Sequence, residues 1–195
     1  MEKSEKKFVV KELDENTLVE IYKELENPSN VGKTINLELI STKGEIPQVI
    51  DLITKMHDKD TLVEVSVNAR GEISLAGLLI LAASKIDERT AKSGTSFKLF
   101  ESDKTSNKNR KELTINERNA LQYLTSYSNA RESKIKRMMI TGKTIIASEA
   151  ESMTLIDIQE GFVDRYNEQR KKKAREIEEK ILADKEAAEL AADKD

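Results

Sequence analysis

The chain contains no cysteine and no tryptophan, only two prolines, and a single histidine among its 195 residues. Without cysteine there is no disulfide, no thiolate metal site and no thiol nucleophile. With one imidazole, His57, any histidine-based catalytic triad must use that residue or do without one. Aromatic residues are 4% of the chain, and their scatter offers no stacking platform for single-stranded nucleic acid. Lys and Arg number 33 against 36 Asp and Glu, a formal charge of −3, so neither sign dominates as nucleic-acid or anionic-membrane binding would require. The longest apolar run, Leu78 to Ala83, is far short of the roughly 20 residues of a membrane-spanning helix. The opening MEKSEKKF lacks the apolar core of a secretory signal. Histidine at metal-ligand spacing with carboxylates is absent too, so neither a metal nor another cofactor is expected. These absences predict a soluble, cytoplasmic protein.

What is present is charge and periodicity. Charged residues make up 35% of the chain and the mean hydropathy is −0.58, which suits one globular domain carrying a solvated appendage. Residues 1–7 read as a frayed, disordered N-terminus. Phe8-Val9-Val10 starts a strand; Asp14 then offers an N-cap to a helix through Leu18, Ile21, Tyr22 and Leu25, which stops at Asn27-Pro28. Thr34 to Ile40 alternates as a strand, Ser41-Thr42-Lys43-Gly44 reads as a turn, and Ile46, Val49, Ile50, Ile53 and Met56 mark a second helix. Leu62 to Val67 is a further strand, followed by an apolar helix around Ile73 to Ala83 and a short strand at Thr95 to Leu99. After the polar stretch 101–111, helical patterns recur from Asn116 and again at Ser148 to Glu151. Strand and helix in alternation, about 30 residues per unit, predict an α/β domain with crossover connections. Its buried centre is expected at 62–67 and 75–83.

The last 29 residues, 167–195, carry eight basic and nine acidic side chains. That balance suits an exposed helix laced by i,i+4 pairs. The domain is therefore expected to span 8–165, with a charged helical extension over 166–195. The extension reads as a solvated helix, with partner docking as the alternative. Gly32-Lys33-Thr34 ends like a phosphate-binding loop, but Asn27 stands where the first glycine belongs, so it reads as a turn. The basic group Arg131, Lys134, Lys136 and Arg137 reads as a solvated face, and His57 as an exposed or helix-capping residue.

The order of motifs resembles the Clp protease proteolytic subunit (ClpP) within the crotonase-like superfamily, over about Phe8 to Ile158. The resemblance rests on Ile35 to Ile40 leading into Ser41-Thr42-Lys43-Gly44, on Gly71-Glu72-Ile73-Ser74-Leu75-Ala76-Gly77 followed by Leu78 to Ala83, on Arg89 before Ser96 to Phe100, and on Ile146-Ala147-Ser148-Glu149-Ala150 with Thr154 to Asp157. It implies a spiral of β-β-α units. It also implies a handle helix at 116–129, through which the chain would form a homo-oligomer or join ClpP-like subunits.

The same resemblance implies a degenerate active site. Leu75 falls at the family's nucleophile position, Phe100 at the base and Gly142 at the acid. The turn that supplies an oxyanion-hole N–H falls on Lys43-Gly44, with only the second glycine kept. A serine peptidase needs a hydroxyl, a base to take its proton and a carboxylate to hold the base. The expectation is therefore a catalytically inactive oligomeric or assembly subunit: a ring partner of active subunits, or a phage head-assembly factor in a host cytoplasm or virion. Two alternatives stand beside it. One is a divergent serine peptidase of head-maturation or Clp type, using Ser74 with a lysine base, Lys98 being the nearest. The other is an acyl-thioester binder, which needs two backbone N–H donors aimed at the thioester oxygen, a requirement that the Lys43-Gly44 turn meets poorly.

Overall fold

The computed structural model describes residues 6–58, 60–101 and 112–160. The chain divides into two units, 1–159 and 160–195; the charged extension expected over 166–195 lies outside the described residues, as do residues 1–5.

The first unit opens with β1 (Lys6–Leu13), α1 (Glu15–Leu25), one 3-10 turn at Pro28–Asn30, β2 (Thr34–Gly44), α2 (Ile46–Met56) and β3 (Glu64–Arg70). Then come β4 (Glu72–Ile73), α3 (Leu75–Ala83), β5 (Arg89–Lys92) and β6 (Ser96–Lys98). The unit closes with α4 (Ile115–Tyr127), α5 (Glu132–Ile140), β7 (Thr144–Ile146), α6 (Ala147–Ser152) and β8 (Ile158–Glu160). Five strands form one sheet in the order β1-β2-β3-β5-β8, and β4-β6-β7 form a second. β1 to β2, β2 to β3 and β3 to β5 are all parallel. Consecutive parallel strands in sequential order, joined by right-handed crossovers, carry their helices on one face, and α1, α2 and α3 pack side by side there. The fold class is α/β, as the alternation of elements implies.

β2 shows how the pattern sets the layers. Ile35, Leu37 and Leu39 are buried against the helices, while the intervening Glu38 faces the other way and pairs with Lys7 at 2.8 Å and Arg70 at 3.2 Å. α3 is apolar all round because every one of its nine residues is buried, which makes it the central helix of the domain. It packs so closely that a Cβ on Gly77 would stand 2.7 Å from Cγ2 of Ile73 on β4 and 3.6 Å from Cβ of Thr42 on β2.

Four expectations need correction. Lys6 and Lys7 are not frayed: they already pair with Ile35 and Asn36 in β1, their ammonium groups held by Glu24 and Glu38. Ser41 to Gly44 is not a turn but the end of β2. The ladder shifts register between Val10 and Glu12 and Ser41 takes a positive φ of 46°, so the two strands continue past the irregularity. Thr42 is buried and donates its hydroxyl to the Val10 carbonyl at 3.0 Å. The strand expected at 62–67 runs over 64–70 instead, because the Leu62 carbonyl accepts from Gly32 N–H at 2.9 Å and leaves the Leu62 side chain exposed. The helix expected at 116–129 ends at Tyr127; it lies on α3 and α2, burying Ala120, Leu121 and Leu124.

Candidate functional site

β4 delivers the chain to α3 at the position where the resemblance expects a nucleophile. Ser74 is the N-cap of α3, with extended backbone, and its Oγ accepts from Gly77 N–H at 3.2 Å. Its own N–H donates to the Thr42 carbonyl at 3.0 Å. The serine therefore serves the helix entrance, as serine at such a position ordinarily does. Leu75 follows as the first residue of α3 and is fully buried.

The proposed lysine base is engaged elsewhere. Lys98, on β6, places its Nζ 2.6 Å from Glu72 Oε1 on the neighbouring strand β4. Its side chain is thereby committed to an ion pair with a carboxylate of the adjacent strand rather than to a serine hydroxyl.

Phe100 and Gly142 are brought together. A Cβ built on Gly142 would have Phe100 Cδ1 as its nearest neighbour, at 3.9 Å. Gly142 has φ 64° and follows the C-cap of α5, where its N–H donates to Met139 O at 3.1 Å and that of Lys143 to Met138 O at 2.9 Å. This is glycine in the left-handed position that terminates a helix. An acidic side chain at 142 would be strained there whatever the space.

Lys43 and Gly44 sit in the β1–β2 ladder opposite Glu12 and Leu13. Gly44 is pressed against that partner, since a Cβ on it would lie 2.6 Å from Leu13 Cβ. The backbone group of this segment that meets the entrance of α3 is the Thr42 carbonyl, an acceptor. An oxyanion requires donors.

Two of the residues that carry the resemblance are joined by a link that their spacing does not reveal. Arg89 at the start of β5 donates its Nε to Asp157 Oδ2 at 2.9 Å, and a second guanidinium nitrogen meets Oδ1 of the same carboxylate. The Arg89 N–H donates to Oδ2 at 3.1 Å, and Asp157 N–H returns a bond to the Arg89 carbonyl at 2.8 Å. Burial pushes the Asp157 carboxyl up, but the hydrogen bonds and charge of Arg89 outweigh it and hold the group below its ordinary value. The pair fastens the end of the described chain to the sheet.

The catalytic domain of ClpP protease from Plasmodium falciparum superposes with a TM-score of 0.64 at 16% identity, covering 80% of this chain and 86% of that one. The fold is ClpP-like. A peptidase from Plasmodium falciparum gives a TM-score of 0.62 at 16% identity, over 77% of this chain and 92% of the other. No protein-family model and no curated protein matches the sequence. At this identity the ClpP-like likeness extends to architecture alone. No helix among the described residues is long and apolar enough to cross a membrane.

Proposed function

We propose that this ClpP-like domain has no peptidase activity and serves as an oligomeric structural or assembly subunit, alone or alongside ClpP-like partners. The observation that carries the reading is the side-chain inventory at the three positions. Leu75 is buried, Phe100 lies against the position of a side chain at 142, and that position is a helix-terminating glycine. None of the three can move a proton or attack a carbonyl. The engagement of Ser74 as a helix cap and of Lys98 with Glu72 supports the same reading against a serine–lysine peptidase. Loss of nucleophile, base and acid together leaves at most the binding and polarising share of a hydrolase's rate enhancement.

A serine-reactive fluorophosphonate probe tests this directly. The wild-type protein is expected to remain unlabelled, as is Ser74→Ala. Labelling of wild type that disappears in Ser74→Ala would establish the divergent peptidase instead. Native mass measurement of the full chain tests the assembly half of the proposal: a discrete multimer is expected, and a monomer across the micromolar range would overturn it.

A further inference from the structure

The site above leaves unused a cleft of about 730 Å³ on another part of the domain, lined by residues of α1, α2, the segment following α2, and α4. Three of the chain's four tyrosines meet its only histidine there: Tyr22, Tyr123 and Tyr127 line the cleft with His57. The His57 and Tyr127 rings are stacked with centroids 5.8 Å apart and planes 19° apart; Tyr123 continues the row at 6.4 Å and 24°. The remaining polar lining is two carboxylates, Thr54, whose hydroxyl donates to the Ile50 carbonyl, and one lysine. Asp51 and Asp58 face the cleft, and Asp51 has no ion-pair partner among the described residues. The one lysine in the lining, Lys55, has its Nζ 3.1 Å from Glu26 Oε1. His57 is the C-cap of α2, so the negative end of that helix's dipole lies at the cleft as well.

Aromatic faces, carboxylates and a helix C-terminus all have the same electrostatic preference, and each favours a cation. The row of nearly parallel rings adds a shape requirement. A flat guanidinium can stack along it while its N–H groups reach a carboxylate, which a compact, strongly hydrated ammonium does less well. We infer that this cleft is a binding site for the arginine side chain of a peptide or protein partner, with Tyr123, Tyr127 and His57 as the stacking wall and Asp51 and Asp58 as the anionic anchors. The site is independent of the peptidase question, because none of its residues belongs to the entrance of α3.

The composition supplies its own reporters. His57 is the sole source of imidazole signals in a proton NMR spectrum, and with no tryptophan present, tyrosine emission comes largely from this cleft. Titrating the full chain with N-acetyl-arginine methylamide is expected to shift the His57 ring resonances with a dissociation constant on the order of 1 mM. The neutral isostere N-acetyl-citrulline methylamide is expected to leave them in place, and the lysine analogue to bind several-fold more weakly. Asp58→Asn should weaken arginine binding about threefold and Tyr127→Leu about tenfold, with backbone spectra confirming that both variants remain folded. Unmoved His57 signals, an equal response to citrulline, or undiminished binding by both variants would each overturn the assignment.

Discussion

At the scale of single residues, the entrance of α3 separates a capping serine from a catalytic one. Ser74 precedes a helix whose first-turn N–H groups lack partners, and its hydroxyl accepts from one of them. Replacing it with alanine should cost about 1 kcal/mol of stability, a loss of a cap with no change in any hydrolytic signal. Gly77 is a sharper case. Alanine would gain about 1 kcal/mol of helix propensity over glycine, but its methyl would have to displace Ile73, a stiff β-branched side chain that is itself fully buried. The overpacking term of about 1–3 kcal/mol is the larger. Gly77→Ala is therefore expected to lower the urea midpoint without changing the slope of the transition.

At the scale of elements, alternation and helical spacing made most of the fold legible. The alternating strand starts at Thr34 as its pattern implies, and the apolar helix expected around Ile73 to Ala83 ends at Ala83 but begins at Leu75, Ile73 belonging to β4. Ser41 to Gly44 was not legible, because turn-forming residue types also fit a strand that bends at an irregularity. What decides there is the partner strand: Val10 accepts from Thr42, and Leu13 packs on Gly44. β4, β5 and β7, of two to four residues, are too short to show a period at all. At the candidate site the sequence exposes residue types but not their contacts. Leu75, Phe100 and Gly142 can be named from register, whereas the Arg89–Asp157 link and the gathering of Tyr22, Tyr123 and Tyr127 around His57 come from distant parts of the chain. The tyrosines look scattered in sequence because α1 and α4 approach the same end of α2 only once folded.

Arg89 and Asp157 also give the element scale a measurable consequence. The pair is largely buried, with side-chain exposures of 7% and 14%, so removing one partner strands the other. Asp157→Asn is expected to cost about 3 kcal/mol, read as a lowered midpoint of chemical unfolding. Because the folded carboxyl titrates below its unfolded value of 3.8, its contribution is complete above that value and declines as the pH falls through the lower, native one. Wild-type stability should therefore drop on acidification below about pH 4, and Asp157→Asn should show a flatter decline over the same range. Equal acid slopes in the two proteins would assign the acid sensitivity to other carboxylates.

For the whole molecule, assembly depends on what α4 leaves free. Its apolar side is already used within the domain, so a contact with another copy must draw on Arg118, Asn119, Gln122 and Ser126, all exposed, and on Ile115, an exposed large apolar residue. That outward face is polar apart from one anchor, and it suits a contact with a small apolar centre and a hydrogen-bonded rim. Ile115→Glu isolates the question. A carboxylate in the first turn of a helix is favourable rather than disruptive, so the fold should keep its stability to within about 0.5 kcal/mol, while an apolar anchor at an interface would be replaced by a desolvated charge. If subunits join through α4, native mass measurement should show the variant shifting to smaller species at concentrations where wild type is assembled. An unchanged mass distribution would move the interface off this helix and leave the edges of the five-stranded sheet, β1 and β8, as the surfaces to alter next.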